Sequence, residues 1–457
     1  MRKKKNRTSL ILIIVAVLLI ICSLSWFLFQ VFEGEKPQII LEPLPAFVSK
    51  PQTFTLHLID KKRGLRNFAV YVTQGNKKIT ISKKDFPFKD IMNREGCHEF
   101  ELKFSLDPER LDLTQGEASL IVSVRDYSMR SGGDGNLSVV THRFIMDTVP
   151  PALRVISRLH YISVGGTGLV VYQVSSDTVK SGVFVSSLFF PGFKADKGSK
   201  DGFNVCYFTI PYYIRLPVDI HLWAKDRADN ESIGRFYYRI RRRPVHKSRL
   251  NISNRFLNRV LPWFSFYKFS PGLSNVEKFI EINSKLRKQN TAFFYSLRTK
   301  TSPDQLWDGS VWLRLKNAAT MARFGDRRTY YYKGQKIGSA VHLGVDLASL
   351  ANSEVQAANN GRVLFAGPVG IYGMTVVLDH GQGLASSYSH LSKISVKTGQ
   401  TVSKGEIIAY TGQTGLAGGD HLHFGVMVNG IFVNPVEWWD AHWVRDNIAR
   451  KLLLIKK

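Results

Sequence analysis

The stretch "GGDHLHFGVMVNG" at residues 418–430 decides how this chain is read. On a β-strand, successive side chains alternate between two faces. His421, His423, Gly425 and Met427 then share one face, while Leu422, Phe424, Val426 and Val428 take the other. The second set is apolar throughout and reads as a core. The first sets two imidazoles side by side, with a glycine leaving room next to them. Unpaired polar groups in a dry interior are costly. This face is therefore expected to line a groove, where a metal ion or a reacting substrate would use the two rings.

Two further stretches repeat the pattern. "VHLGVDLAS" (341–349) spaces His342, Gly344 and Asp346 evenly. An extended chain aims that imidazole and that carboxylate the same way, and Leu343, Val345 and Leu347 anchor the opposite face. A helix would also bring His342 and Asp346 together, but Gly344 and the β-branched Val345 argue against one. "SSYSHL" (386–391) puts Ser386, Tyr388 and His390 on one strand face. A lone histidine is more often a partly exposed or hydrogen-bonded residue than a ligand. Three such stretches patterned onto one groove reverse that expectation. Two neutral imidazoles and one carboxylate suit a catalytic zinc ion, which keeps three protein ligands and one open position. Its charge brings a bound water toward ionisation at neutral pH and polarises a carbonyl. Further histidines beside it can move protons or stabilise an oxyanion.

At these residues the chain resembles the lysostaphin/LytM-type zinc metallopeptidases, peptidase family M23. "HLGVD", "YSHL" and "HLHF" carry the likeness, supported by "ARFGDRRTY" (322–330), "GQTVSKGEIIAYTGQTG" (399–415) and "VNP" (433–435). The resemblance implies that His342, Asp346 and His423 bind zinc, and that His421 and His390 flank the metal as catalytic residues. All five positions are filled. Asp420 stands where a proline often precedes the H-L-H triplet, and Gly425 where a glutamate often follows H-L-H-F; neither is a ligand position, so they bear on substrate preference. Some relatives use a tyrosine near the metal, for which Tyr330, Tyr331 and Tyr332 are candidates. His380 in "LDHGQG" reads as structural, and His442 has no recognisable partner. The implied substrate is peptidoglycan, its stem peptides and cross-links.

Outward from this domain, residues 321–440, the texture is short strands between glycine turns, which predicts a compact, mainly antiparallel β fold. The "WVRDNIARKLLLIKK" end, within a basic tail over 441–457, reads as an amphipathic helix that covers the domain's own apolar edge. Residues 33–148 and 149–240 read as two related β-sandwich units. Each has an Asp before a Gly turn (Asp60/Gly64, Asp177/Gly182) and a late strand ending in an Asp turn (Asp126, Asp226). The pattern resembles bacterial immunoglobulin-like modules, and both units are expected to act as spacers. "DTVPP" (147–151) marks a boundary, because prolines cannot continue a central strand. Residues 241–320 form a linker that opens on "RRRPVHK". It contains a helix over 274–290, with a Ser274/Glu277 capping box and Val276, Phe279, Ile280 and Leu286 near one face. The fold class expected is therefore mainly β: an N-terminal transmembrane helix, two β-sandwich units, a short helical linker and the C-terminal antiparallel domain.

The membrane expectation rests on "RKKKNR" (2–7) followed by "LILIIVAVLLIICSLSWFLF" (10–29), twenty residues without a charge. That length matches the hydrocarbon thickness of a bilayer. The basic residues in front hold a tail over 1–7 in the cytoplasm, with the span over 8–32 and everything after it exported. A cleaved signal peptide is the competitor, but the apolar run is long and lacks a small-x-small cleavage site. The chain is thus expected to be single-pass in the cytoplasmic (inner) membrane, with its catalytic domain on the periplasmic or extracytoplasmic side. The net charge of +27 suggests nucleic acid as a partner. Export and the lack of any nucleic-acid module argue against it; anionic envelope polymers or lipid head groups are better partners, and a generic solvated basic surface explains the charge equally well. Of three cysteines, Cys22 lies in the apolar run, and Cys97 and Cys206 could pair in an oxidising compartment. The activity expected is that of a zinc metalloendopeptidase acting on peptidoglycan, with an envelope protein as a candidate regulator. The alternative is a non-enzymatic cell-wall-binding module or amidase regulator on the same fold, marked by loss of ligands. A lipoyl-carrier hairpin at "VKTGQTVSKGEIIAYTG" is discounted, since Lys404 is displaced from the tip.

Overall fold

The computed structural model describes residues 7–195, 202–242 and 244–455; the basic tail up to Asn6, and Arg243 in the linker's opening run, lie outside them. The chain is mainly β. It divides into two compact units, Met1–Pro150 with Arg227–Asn230, and Pro151–Asp226 with Glu231–Lys457.

The first unit begins with a helix over Arg7–Val31. Its Ser9–Val31 portion is long and apolar enough to cross a membrane. Two sheets follow. One orders Gln38–Glu42, Gln52–Ile59 and Glu99–Leu106; the other has five strands centred on Gly116–Asp126. Alternation explains the packing: Phe54, Leu56 and Leu58 face Leu120, Val122 and Val124 in one apolar cluster. Asp60 closes the turn ahead of Gly64 by accepting from the backbone N–H groups of Lys62, Arg63 and Gly64. Gly64 has φ of 75°, a conformation glycine adopts without steric cost. Asp60 and Gly64 thus form the turn expected of them, whereas Gly182 does not turn after Asp177: it lies inside the strand Thr178–Val185, opposite Trp223.

In the second unit, two four-stranded sheets, containing Thr167–Val174 and Thr178–Val185, stack over a core that runs unbroken into the C-terminal domain. Trp438, fully buried, donates its indole N–H to Thr167 Oγ1 at 3.3 Å. The Glu437 carboxylate accepts the Thr167 N–H at 2.8 Å. The C-terminal helical segment adds Val444 and Ile448 to the same core, and Lys451 Nζ reaches the Leu169 carbonyl at 2.9 Å. The tail therefore covers the strand Thr167–Val174.

The C-terminal domain is built on an eight-stranded antiparallel sheet. Its central run is Ala319–Ala322, Val345–Ala348, Leu422–Val428, Leu384–Leu391, Met374–Gly381 and Gly361–Pro368. The linker joins this domain directly. Its strand Lys247–Asn251 pairs in parallel with Arg327–Tyr332, with Ser248 opposite Arg328. The predicted helix starts at the Ser274/Glu277 capping box and runs through a π turn to Ser296. Its buried stripe is Phe279, Ile282, Leu286 and Phe294; Ile280, expected among them, is 37% exposed because it sits one residue round the helix from Phe279. All three cysteines are free thiols.

Candidate metal centre

The central strand Leu422–Val428 is flanked by Val345–Ala348 on one side and Leu384–Leu391 on the other, and the register sets Asp346 and Ser389 opposite His423. Leu422, Phe424, Val426 and Val428 are buried in the main core with Val345 and Leu347, as alternation predicts. His423 emerges on the opposite face beside Asp346. His421 lies one residue before the strand, bridged to Gly412.

Three donor atoms meet on that face. His342 Nε2 is 2.9 Å from Asp346 Oδ1 and 3.0 Å from His423 Nδ1, which is itself 2.8 Å from Asp346 Oδ1. His342 Nδ1 donates to the Arg323 carbonyl at 2.9 Å. Its hydrogen is thus spent on the backbone, and Nε2 presents a bare lone pair to a bare carboxylate oxygen. Two acceptors this close repel unless positive charge, a proton or a metal ion, lies between them. The donor set, imidazole, imidazole and carboxylate, is one that zinc accepts, so the residues fit a metal ion. Gly344 makes the approach possible. A Cβ there would stand 2.5 Å from His423 Nε2, so the motif's glycine answers a steric limit.

His421 and His390 complete the groove. His421 Nε2 lies 3.6 Å from Asp346 Oδ1, and its Nδ1 donates to the Gly419 carbonyl at 2.8 Å. His390 Nδ1 donates to the Thr414 carbonyl at 2.8 Å, and its ring centre is 4.8 Å from that of His421. Both rings are therefore held by the backbone through Nδ1, and His421 turns its Nε2 toward the Asp346 carboxylate. Burial pushes the Asp346 carboxyl up, but the imidazoles, His342 foremost, outweigh it and hold the group well below the usual carboxylate range. Burial pulls His390 well below the usual imidazole range, with His421 and His423 adding to the effect. Burial likewise brings His423 down to about 4 against the pull of Asp346. In His421 burial also acts to lower the pKa, yet the Asp346 carboxylate wins and raises it.

The structure thus brings all five expected residues together, with two corrections to the pattern around them. The space beside Gly425 is not open groove: a Cβ there would meet Ser387 Oγ at 2.5 Å and the Phe432 ring at 2.7 Å. Met427, expected on the groove face, is buried with Phe294 and Phe432. The groove therefore ends at His423. Nor do Ser386 and Tyr388 share a face with His390. Tyr388 stacks edge-on against Phe424 in the main core, and its hydroxyl takes the Ala358 N–H and the Ser386 hydroxyl. His390 reaches the groove because its backbone is left-handed, with φ of 62°, a conformation uncommon for residues other than glycine. That single residue turns the side chain out of the strand's alternation. His380 is structural: Nδ1 donates to the Asn360 carbonyl, Nε2 lies 2.7 Å from Ser386 Oγ, and burial lowers its pKa to about 4.

Other groove residues escaped the sequence reading. The cavity, about 440 Å³, is walled by linker residues Ile252, Phe256 and Phe279, and Arg328 and Tyr372 reach into it. Tyr372 sits between glycines in "GIYG" with its ring 5.4 Å from His423, and burial pushes its phenol up to about 12. Of the tyrosine candidates, Tyr330 lines the cavity, packed against Phe279.

Residues 340–435 match the model of peptidase family M23; within them lie all five residues. The DD-carboxypeptidase/endopeptidase Mpg of Neisseria meningitidis is 40% identical over 96 residues, 21% of this chain and 22% of that protein. The peptidoglycan DD-endopeptidase ShyA of Vibrio cholerae is 39% identical over 98 residues, 21% of this chain and 23% of its own length. The chain thus matches less than a quarter of these curated relatives. Among solved structures, the catalytic domain of lysostaphin from Staphylococcus simulans aligns at 30% identity, covering 27% of this chain and 94% of that one, with a TM-score of 0.23.

Proposed function

We propose that this chain is a membrane-anchored zinc metalloendopeptidase that hydrolyses the peptide cross-links of peptidoglycan. The observation that carries the reading is the meeting of His342 Nε2, Asp346 Oδ1 and His423 Nδ1 within 3.0 Å of one another, beside two more imidazoles. His342, Asp346 and His423 are the residues that would hold zinc. When bound, the ion supplies Lewis acidity, activating a water and polarising the scissile carbonyl.

The protein's own groups do the rest. The Arg323 carbonyl fixes the His342 ring so that Nε2 faces the site. His421 and His390, each tied through Nδ1 to a carbonyl, offer Nε2 as a proton acceptor. Such a group takes the proton of the attacking water, returns it to the leaving amine, or, once protonated, donates to the developing oxyanion. The apolar wall of Ile252, Phe256 and Phe279 excludes bulk water from one side. A non-enzymatic binding module would tolerate loss of a ligand or a flanking histidine, and all five are in place.

Peptidoglycan as substrate rests on the M23 match and on the names of the relatives, which also make the D,D cross-link the first bond to test. The Ser9–Val31 segment supports an anchor in the cytoplasmic membrane with the catalytic domain on its outer side. The β modules serve as spacers between bilayer and wall. Digestion of purified peptidoglycan followed by mass analysis tests the proposal. Cross-linked stem-peptide dimers should fall to monomers carrying a new free amine, and a zinc chelator should stop the reaction. Glycan-strand cleavage, or full activity after chelation, would reject it.

A further inference from the structure

Arg328 faces the proposed metal site from the side away from the imidazoles. Asp346 has two carboxylate oxygens. Oδ1 faces the imidazoles of His342 and His423, while Oδ2 accepts from Arg328 Nη2 at 3.0 Å. Arg328 Nε in turn lies 3.4 Å from Asp326 Oδ2. Asp326, itself buried, is fastened by the linker: Ser248 Oγ is 2.7 and 2.8 Å from its two oxygens, and His246 Nδ1 is 2.9 Å from Oδ1. The same turn grips the first histidine through the backbone. The His342 N–H donates to the Asp326 carbonyl at 2.9 Å, and the Gly325 N–H to the His342 carbonyl at 2.8 Å. A continuous chain of contacts therefore runs from the linker strand Lys247–Asn251 to the ligand carboxylate.

We infer that Arg328 is a positioning residue for the metal site, and that the linker strand belongs to that site through Ser248 and Asp326. The inference rests on the zinc reading above. With Oδ2 committed to the guanidinium, Asp346 cannot rotate or bind through both oxygens, so Oδ1 alone is presented. A bare cation behind a ligand would repel the metal. Asp326 cancels that charge, and Ser248 and His246 keep Asp326 where it can do so. The linker is thus a part of the ligand cage, although it contributes no ligand. Outer partners of this kind set metal affinity, and their removal costs roughly 10- to 100-fold.

The test is zinc affinity of the zinc-stripped full-length protein in detergent, measured by competition with a chelating indicator at fixed neutral pH. Arg328→Met should weaken zinc binding by about 10- to 100-fold, and Arg328→Lys should recover only part, since an ammonium cannot span both carboxylates. Ser248→Ala, a mild change at a half-buried position, should weaken binding less. It should have no further effect in the Arg328→Met background. Thermal unfolding of the metal-free variants separates misfolding from a lost positioning effect. Unchanged affinity in Arg328→Met, or full additivity of the two substitutions, overturns the inference. So does a raised KM for cross-linked muropeptides with unaltered zinc affinity, which would make Arg328 a substrate contact. Absence of zinc binding by the unaltered chain would instead sink the functional proposal, a separate outcome of the same titration.

Discussion

Strands Leu422–Val428 and Leu384–Leu391 lie side by side, and each delivers a histidine to the same groove by a different route. The first obeys alternation. His423 points to the groove because Leu422 and Phe424 point to the core. The second breaks it: Tyr388 takes the core, and His390, two residues on, would follow it there but for a left-handed backbone. One histidine is thus held by the pleat of the sheet. The other is held by local strain together with the Thr414 carbonyl. On the zinc proposal, the ligand comes from the regular strand and the flanking group from the irregular one. A metal site needs donor atoms placed by a stiff frame, whereas a proton-handling ring can be turned in from a strand end.

The largest effects should separate those roles. His423→Ala should abolish bound zinc and bring hydrolysis to background, measured by metal content and muropeptide release. His421→Ala should keep zinc and lose about 10²- to 10⁴-fold in rate, the usual worth of a proton-transfer group. Equal zinc loss in both would erase the distinction between ligand and flanking residue. A smaller effect belongs to the seam between the two strands. Gly425→Ala drives a methyl against Ser387 Oγ and the Phe432 ring, and overpacking of this kind costs about 1–3 kcal/mol. Thermal unfolding should show it, and unchanged stability would mean that the seam is looser than the distances imply.

An effect that depends on pH lies on the core side of the second strand. His380, against Ser386, has its pKa lowered to about 4 from 6.5 by burial. Between those values the unfolded chain takes a proton that the folded one refuses. Its contribution is therefore complete above pH 6.5 and drains away as pH falls to about 4, at about 1.4 kcal/mol per pH unit. His380→Gln should flatten the pH dependence of denaturant midpoints across that window. An unaltered slope would show that His380 is not the group refusing the proton.

What could be read from the residues follows the same divide. Asp346 and His423 were legible because strand alternation turns spacing into direction, with Val345, Leu347, Leu422 and Phe424 on the core face; His342 lies ahead of the strand Val345–Ala348, and Leu343, expected on the core face, lines the groove instead. Alternation along "SSYSHL" put His390 in the right groove only by carrying Ser386 and Tyr388 there with it, and those two lie in the core, since nothing local announces a left-handed residue after a serine. Met427 fell on the correct face in principle, but the helix ending at Ser296 brings Phe294 down to cover it, a contact far along the chain. Arg328 looked like one more cation in a chain of net charge +27. Only the register with Ser248 and the turn at Asp326 distinguishes it. Tyr372 was hidden among glycines, and the groove's apolar wall came from a linker whose strand and helices join the domain only in three dimensions.

The core that joins the second β module to the C-terminal domain also bears on how the protein comes apart. Trp438 and the tail helices are wedged against Thr167–Val174, so neither half can shed its structure without stripping apolar surface from the other. Residues 151–226 and 231–457 should accordingly melt as one cooperative body. A fragment trimmed to residues 340–435, the stretch that matches the M23 model, would begin life with part of that shared interior exposed to water.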